Sequence, residues 1–375
     1  MLWAFRVLAP WTCRALREAE MGYIAVRGGE QAILNAEELM VAKILGSESE
    51  PIEVEQILEQ FALAVDRVMG EGGLYWPKLA ALAFRQAMGD SFEAAFLVRA
   101  FRSSVPRRGY TDPLDTRKMR VHRRISAAFK EVPGGQILGA TPDYGMRFIR
   151  FDLFEDLYQA RIRANKALEE LAQSGIPIPD SFPKIVDLLR HQGLLMDPPS
   201  AQRTWTDVTL ETVTFPTNRS ARLQCLARGE TGGLLALAYS SMRGYGQIHP
   251  AVGELRVGDV PVCFEGRPLG WIRVTECEVI SRMEKAQHDG KACFTMGYGL
   301  CFGHNEIKAI SMAVLDRAMQ MNSSESPAQD EEFVLLHTDG VEAMGFCLHY
   351  KLPHYVTFQA DLNQLRGIRC EQKSD

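Results

Sequence analysis

The sequence predicts an α+β fold, with a helical N-terminal half followed by a strand-rich C-terminal half. From about residue 30 to residue 200, apolar residues recur at steps of three and four, which is the spacing of one buried helix face. From Trp205 the pattern changes to alternating β-branched and polar residues between Gly-rich turns. We therefore divide the chain into an N-terminal extension (1–20), a mainly helical domain (21–204) and a strand-rich α+β domain (205–375).

The helical domain begins with "MGYIAVRGGE", which we expect to form a first strand. Helices follow, and the most regular is "EQILEQFALAVDRVM", whose predicted buried face comprises Ile57, Phe61, Val65 and Val68. Pro77 suits the first turn of the next helix, and Asp90 with Glu93 suggests a capping box before another. One more helix is predicted over 155–175, and a connector at 176–183 leads into a short helix.

The strand-rich domain has three stretches with strand patterns, "WTDVTLETVTFP", "VGDVPVCF" and "GWIRVTECEVI". Residues 305–319 return to the helical period, and the polar, acidic residues 322–332 predict an exposed loop. We expect the chain to finish with a strand, a loop that holds two histidines and a short helix over 359–367.

Composition excludes several classes of protein. The net charge of −5 gives no sign of a dedicated nucleic-acid binder or a membrane-surface protein. No apolar run approaches the roughly 20 residues of a membrane-spanning helix. The eight cysteines never form a C-x-x-C pair, so we expect reduced thiols in a cytoplasmic protein.

An arginine-rich stretch at 99–130 contains ten Arg or Lys residues and only two Asp. Several guanidinium groups together can clamp polyphosphate oxygens. If 117–130 is one helix, Arg117, Arg120 and Arg124 share a face, and His122 on the other face is in the core or half-buried. The alternative is a solvated face or a partner interface, and RNA binding is less favoured because exposed aromatic residues are not interleaved.

The stretch "FTMGYGLCFGHNE" (294–306) runs from a predicted strand into a predicted helix. Its three glycines could expose backbone N–H groups to a phosphate, but their spacing is one residue longer than the dinucleotide fingerprint. We favour the simpler interpretation, in which Asn305 caps the helix beside a tight turn.

His349 and His354 flank "YKLP" near the end of the sequence. Five residues of separation do not place two side chains on one helical face, and Pro353 argues against a continuous helix. The histidines can converge only if the segment between them turns. They could then bind zinc, with Cys347, His337 or another subunit completing the ligands, although two ordinary surface histidines are the alternative.

Four stretches together carry a resemblance to a known family: 21–33, 70–110, 119–136 and 349–362, which read "MGYIAVRGGEQAI", "GEGGLYWPKLAALAFRQAMGDSFEAAFLVRAFRSSVPRRGY", "MRVHRRISAAFKEVPGGQ" and "HYKLPHYVTFQADL". They resemble the I subunit of the bacterial carbon-phosphorus lyase core complex. The resemblance runs from Met21 to the C-terminus.

The resemblance implies a subunit that works with the G, H and J subunits, with K and L associated, in phosphonate catabolism. It implies displacement of adenine from ATP by a phosphonate, which gives ribose 1-(alkyl)phosphonate 5-triphosphate, and purine nucleosidase activity on ATP and GTP when the subunit is alone. It also implies that His349 and His354 bind a metal, zinc by expectation, at the interface with the J subunit.

Displacement of adenine at C1′ develops oxocarbenium character, which a nearby carboxylate stabilises. The candidate carboxylates are Glu30, Asp112, Asp115 and Asp143, although carboxylates beside arginines often form structural ion pairs. The candidate triphosphate-binding residues are Arg107, Arg108, Arg117, Arg120 and Arg124. The alternative function is a scaffold whose arginines and histidines serve subunit contacts.

Overall fold

A computed structural model describes residues 29–46, 48–154, 157–173, 182–196, 205–245, 249–288, 291–321 and 325–372. The chain forms two compact units, residues 1–52 and 53–375. The predicted extension and most of the predicted first strand fall at residues 1–28, outside the described part. The predicted domain boundary at 204 and 205 adjoins the undescribed residues 197–204, and it remains a prediction.

The described part of the chain contains helices and four strands, three of which follow one another directly. In chain order the helices are α1 Glu30–Leu45, α2 Val54–Gln60, α3 Ala62–Gly72, α4 Pro77–Gln86, α5 Ser91–Ser104, α6 Leu157–Gln173, α7 Ile185–His191, α8 Arg219–Arg228, α9 Thr231–Ser240, α10 Glu306–Met319, α11 Glu331–His337, α12 Gly340–His349 and α13 Tyr355–Glu371. The strands are β1 Arg120–Ile125, β2 Ala251–Phe264, β3 Arg267–His288 and β4 Lys291–Phe302. The architecture confirms the α+β prediction.

Helix α1 is the only regular element described in the first unit, and none of its residues is buried. In the second unit, α2 to α5 pack around a core that includes Ile57, Val65 and Val68. The predicted face fails at Phe61, which is 50% exposed, because one helix ends there and the next begins. Pro77 starts α4, as predicted. The Asp90 carboxylate accepts hydrogen bonds from the first turn of α5, which is the N-cap half of the predicted capping box.

The four strands form one antiparallel sheet in the order β1, β2, β3, β4. Strand β1 comes from the helical half of the sequence, yet it pairs with β2, so that Arg124 lies opposite Arg256. The pairing of β1 with β2 therefore joins the two halves of the chain within a single sheet.

One face of the sheet is apolar and packs against α10. Leu255, Cys277 and Val279 contribute to this core together with the buried side of the helix. At Gly297 and Gly299, an added Cβ would collide with the carbonyl oxygens of Ala313 and Ala309 in α10. These glycines therefore allow close approach of helix and strand, which is a packing role.

The opposite face of the sheet carries a buried ionic layer. Its members are each at most 9% exposed at the side chain, and they are Arg124, Lys184, Glu254, Arg256, Glu276 and Glu278. Lys184 Nζ lies 2.7 Å from Glu276 and 2.9 Å from Glu278. Burying a charge is costly unless the charge is paired. The ion pairs between these three cations and three carboxylates therefore depend on one another.

The prediction that 117–130 could be one helix is wrong. A short 3₁₀ turn, Thr116–Lys118, leads into strand β1, which alternates exposed and buried side chains at its start. His122 consequently points to solvent, with 49% of its side chain exposed, and bonds Asp259 at 2.8 Å. Pairing with β2 outweighed the helical spacing of the arginines.

Three other predictions for the C-terminal half need correction, and three are confirmed. Residues 205–216, predicted as a strand, form turns and bends. The segment predicted as an exposed loop at 322–332 includes the buried residues Ser326 and Ala328. Helices α11 and α12 lie where a last strand was predicted. Strands β2 and β3 and helix α10 are confirmed, with Asn305 capping α10 through a bond from the Lys308 N–H. In the described part of the chain, no helix is long and apolar enough to cross a membrane.

Candidate functional site

A cavity of about 520 Å³ lies within the second unit, between the helices of the helical half and the ends of strands β3 and β4. Its charged or hydrogen-bonding lining residues include Arg102, Arg107, Tyr110, Thr111, Asp207, Thr209, Gln224 and Arg228. The apolar wall includes Trp205, Val274, Leu300 and Phe302. This volume is in the range of small-molecule sites.

Asp207 organises one side of the cavity. Its carboxylate accepts hydrogen bonds from the Arg107 guanidinium, from the Tyr110 hydroxyl at 2.8 Å, and from the N–H and hydroxyl of Thr209 at 2.9 and 2.6 Å. Although burial raises the pKa of Asp207, these donors hold it well below its usual range. Asp207 is thus an ionised anchor whose lone pairs are engaged.

Two further arginines line the cavity and have no such anchor among the residues that the structure describes. The side chains of Arg102, near the end of α5, and Arg228, the last residue of α8, are both partly buried. Burial lowers the pKa of the Arg102 guanidinium, and the nearby cations Arg228 and Arg107 lower it further. Three guanidinium groups therefore face a single carboxylate in this cavity.

Arg99 fixes the helix ends that carry these arginines. Its guanidinium donates to the Arg228 carbonyl at 2.7 Å, to the Glu71 carbonyl at 2.9 Å, and to both carboxylate oxygens of Asp339. Arg99 lies three residues before Arg102 on α5. Its bonds therefore hold the C-terminal end of α8 against α5, beside the cavity.

His349 and His354 face each other. His349 ends α12 and His354 precedes α13, and the turn between them brings the two Nε2 atoms to 3.0 Å. His354 Nδ1 lies 2.6 Å from the Leu352 carbonyl oxygen, which can only accept, so Nδ1 carries the proton and Nε2 keeps its lone pair. This is the outer hydrogen bond typical of metal-binding histidines.

The histidine pair fits half of a zinc site. Two imidazole ligands at tetrahedral angles, with Zn–N bonds near 2.0–2.1 Å, would hold their nitrogens about 3.3 Å apart. Within the described residues, no group of three or more His, Cys, Asp or Glu side chains could hold a metal ion. His337 and Cys347 therefore do not complete the ligand set, and the other ligands would come from outside the described chain.

The predicted arginines do not form one cluster. Arg107 lines the cavity, Arg108 is exposed, Arg117 lies 3.4 Å from Asp187, and Arg120 stacks on Trp271 with 3.7 Å from its guanidinium carbon to the ring centre. Arg124 is fully buried and donates to Glu254 and to three carbonyls, those of Pro133, Gly135 and Pro183. We therefore remove Arg124 from the proposed triphosphate ligands.

The predicted carboxylates are also dispersed. Asp112 accepts from the N–H groups of Glu265 and Gly266 and so fixes the hairpin between β2 and β3. Asp115 caps the 3₁₀ turn, and Asp143 bonds Arg123 and Arg147. Glu30 is the exposed first residue of α1, in the other compact unit. The three aspartates hold local structure, which is the structural alternative considered for such residues.

Local sequence patterns did not indicate several cavity residues, notably Asp207, Arg228, Trp205 and Gln224. Within the arginine-rich stretch, they did not distinguish Arg102 from its neighbours. Asp207 and Trp205 stand in the segment interpreted as a strand, and Arg228 ends an ordinary-looking helix. The only signal was the local excess of positive charge that includes Arg102 and Arg107.

Together the fold and the site define an α+β protein with an arginine-lined cavity and an exposed histidine pair. The family model described as "Bacterial phosphonate metabolism protein (PhnI)" matches residues 22–372. The chain belongs to this PhnI family.

Named relatives agree with the family match. The chain is 44% identical over 364 residues to the alpha-D-ribose 1-methylphosphonate 5-triphosphate synthase subunit PhnI of Rhizobium meliloti, covering 93% of this chain and 95% of the relative. It is 44% identical to the Escherichia coli protein of the same name, covering 93% and 99%. It is 50% identical to HtxH of Stutzerimonas stutzeri, named as a candidate C-P lyase subunit, covering 92% and 95%.

Proposed function

We propose that this chain is a subunit of a carbon-phosphorus lyase complex that replaces the adenine of ATP with a phosphonate. The observation that carries the proposal is 44% identity over 93% of the chain to two proteins named as subunits of a ribose 1-methylphosphonate 5-triphosphate synthase. A product that bears ribose and a 5-triphosphate has ATP as a natural source of both groups.

In the proposed reaction, the bond between C1′ of ribose and N9 of adenine breaks, and a phosphonate oxygen forms a new bond to C1′. Adenine leaves with a proton. The positive charge that develops at C1′ needs a carboxylate nearby, for which Glu30, Asp112, Asp115 and Asp143 remain the proposed candidates. Without partners, we propose that water replaces the phosphonate, so that the chain acts as a nucleosidase on ATP and GTP.

Zinc is the proposed metal, held by His349 and His354. Their converging Nε2 atoms and the Nδ1 bond to Leu352 support this assignment. When bound, zinc would supply a Lewis acid or an oxyanion-binding charge. The remaining ligands would come from a partner, which we propose to be the J subunit.

Exposed apolar side chains beside the histidines support a partner at this face. On α12 and α13 and the turn between them, large side chains are 62–74% exposed: Phe346, Tyr350, Tyr355, Val356 and Phe358. A second such group precedes α6 and comprises Met146, Phe148, Ile149, Phe151 and Phe154. Contiguous exposed apolar surface is typical of subunit interfaces. We propose the G, H and J subunits as the core partners, with K and L associated, in the cytoplasm.

Release of adenine tests the proposal. The full chain, alone and assembled with its partner subunits, is incubated with ATP, with and without methylphosphonate, and free adenine and the ribosyl product are separated by chromatography. We expect adenine in both preparations and the phosphonate ester only in the assembly. Absence of adenine from both would overturn the proposal.

The exposed apolar groups also favour a second candidate, a scaffold without chemistry of its own. A scaffold predicts that removing charge at Arg107, Arg108 and Arg120 disrupts assembly without changing nucleotide affinity. If the chain is the enzyme, removing the charge at Arg107, which lines the cavity, should weaken nucleotide binding and leave assembly intact. Gel filtration of the complex and equilibrium dialysis with labelled ATP separate the two.

A further inference from the structure

The cavity holds more positive charge than its own residues neutralise. Asp207 is the single carboxylate among its lining residues, and its oxygens are engaged by Arg107, Tyr110 and Thr209. Within the described part of the chain, the side chains of Arg102 and Arg228 make no hydrogen bond or ion pair. Two partly buried guanidinium groups thus lack an anion in a site where each also repels the other.

Unpaired guanidinium groups that repel each other raise the free energy of the folded protein unless an anion binds between them. Partly buried charge is costly without a partner, and like charges raise each other's free energy. A bound polyanion would pair the buried charges and offset their repulsion, since each guanidinium can donate two parallel hydrogen bonds to phosphate oxygens. An anionic ligand of more than one negative charge therefore fits the cavity better than a neutral one.

The surrounding structure holds the Arg228 backbone and the Arg107 side chain in place. Arg99, fixed by Asp339, grips the Arg228 carbonyl at 2.7 Å, and Arg107 is locked to Asp207. Arg102 Nη1 occupies the space beside Gly73, where an added Cβ would lie 3.0 Å away. Fixing the Arg228 backbone and the Arg107 side chain in advance lowers the entropic cost of binding a ligand here.

The other walls suit a nucleoside. Tyr110 and Trp205 meet edge to face with 4.8 Å between ring centres, and Tyr110 OH is anchored on Asp207. Aromatic faces stack on bases, and Thr111, Thr209 and Gln224 add polar groups to the lining. The volume of about 520 Å³ is in the range of sites for ligands of nucleotide size.

We propose that this cavity binds a nucleoside triphosphate. Arg102 and Arg228, which make no hydrogen bond or ion pair within the described residues, are its phosphate ligands, with Arg107 as a further donor and Trp205 beside the base. The assignment rests on the proposed function for the identity of the ligand, because the relatives' product carries a ribose 5-triphosphate. The proposal places the triphosphate at Arg102 and Arg228, which are not among the triphosphate ligands predicted from the sequence.

The cavity's role in this proposal is binding and orientation. The Cys301 thiol on its wall is buried, which raises its pKa to about 12, so the thiol stays neutral and is not a nucleophile. Asp207 has no lone pair to spare for a substrate proton, because its donors are within the chain.

The test compares Arg102→Gln and Arg228→Gln in the full chain with Arg163→Gln. Arg163 is an exposed arginine on α6 that does not line the cavity. Equilibrium dialysis measures the dissociation constants of ATP, inorganic triphosphate and adenosine. We expect each cavity variant to weaken ATP and triphosphate by about tenfold or more, the loss typical of a hydrogen bond to a charged group, and to leave adenosine nearly unchanged. Arg163→Gln should bind all three like the unmodified chain.

Fluorescence gives a second readout that does not depend on the arginine variants folding well. Saturating ATP should change the emission of the unmodified chain, and Trp205→Phe should lose most of that change. Retention of the full change in Trp205→Phe, or unchanged ATP affinity in correctly folded Arg102→Gln and Arg228→Gln, would overturn the site.

Failure of the site and failure of the proposed function look different. If ATP binds through Arg102 and Arg228 but no adenine is released by the complex, the site stands and the reaction is wrong. If adenine is released with an unchanged KM for ATP in both variants, the reaction stands and the cavity is not its nucleotide site.

Discussion

Arg99 and Asp339 lie 240 positions apart in the chain, and the Arg99 Nη1 donates to both oxygens of Asp339 at 2.7 and 2.8 Å. The pair joins α5 to the start of α12, and the same guanidinium holds the carbonyls of Glu71 and Arg228. One side chain thus ties three segments together beside the cavity.

Replacing Asp339 by Asn should destabilise the chain. The two side chains are only 17% and 23% exposed, so the variant leaves a mostly buried guanidinium without its counter-charge, while Asn can still cap α12. We expect a loss of roughly 1–3 kcal/mol in the free energy of unfolding. Urea titration followed by circular dichroism measures it.

Glu55→Gln is the matched control for that experiment. Glu55 pairs with Lys78 at 2.6 Å, but the side chains are 60% and 68% exposed. Solvent-exposed ion pairs contribute little to stability, so this variant should unfold almost like the unmodified chain. Equal losses in both variants would contradict the structural role of Arg99.

The double variant His349→Ala, His354→Ala should lower the zinc content of the assembled complex and impair phosphonate use. The two Nε2 atoms are the converging ligands that carry the assignment, so the variant removes this chain's half of the site. Metal analysis of the purified complex by mass spectrometry measures the loss. His337→Ala, whose ring stacks on Phe333, is the control and should keep the metal.

Two other outcomes of this experiment are informative. Unchanged zinc in the double variant would refute the metal assignment. Loss of zinc with intact adenine release would place the histidines in a later step than base displacement.

Gly299→Ala should be strongly destabilising. Its Cβ would collide with the Ala309 carbonyl oxygen and lie 3.0 Å from the Met312 Cβ, so α10 would have to move off the sheet. Overpacking typically costs about 1–3 kcal/mol, and we expect the upper end because the obstacle is backbone. The midpoint of thermal unfolding should fall accordingly.

Gly367→Ala gives the opposite expectation. Gly367 lies in α13, and nothing stands within 4 Å of an added Cβ. Alanine is favoured over glycine in a helix by about 0.5–1 kcal/mol, so this variant should be neutral or slightly more stable. A similar loss at both glycines would contradict the close packing of α10 on β4.

Glu278 should give the chain a pH-dependent stability. Burial raises its pKa from 4.5 to about 7, with Lys184 opposing and Glu276 adding to the shift. Because the folded chain then binds more protons than the unfolded chain between these values, the stabilising contribution present below pH 4.5 is lost as pH rises through 7.

Glu278→Gln should remove that loss. The amide keeps an acceptor for Lys184 but cannot ionise. We expect the thermal midpoint of the unmodified chain to fall more between pH 5.5 and 7.5 than that of the variant, by a few degrees. The same fall in both chains would show that another group titrates in this window.

The sequence predicted those parts of the fold in which local signals and tertiary packing agree. Pro77 and Asp90 start α4 and α5 as expected, and the apolar alternation of β2 and β3 matches a buried sheet. The prediction failed at 117–125, where Arg120 and Arg124 lie in a strand and Arg117 lies in the 3₁₀ turn before it. Pairing with β2, more than a hundred residues further along the chain, decided that element.

The site shows the same division. The charge excess at 99–130 left open a polyphosphate site, a solvated face or a partner interface, and the stretch contains two of the three cavity arginines. The sequence pattern could not distinguish Arg107, which lines the cavity, from Arg124, whose guanidinium donates to Glu254 and three carbonyls. Both are arginines of one stretch, and only their distant neighbours distinguish them.

By itself, the sequence determined the α+β class, the family and the two histidines, because each depends on residue identity and short-range pattern. Tertiary structure alone decided that "YKLP" turns so that the two Nε2 atoms meet at 3.0 Å. It also decided that Arg102 and Arg228 line one cavity without a side-chain partner among the described residues. Hydrogen bonds and charge balance depend on which groups become neighbours, and segments far apart in the chain supply those neighbours.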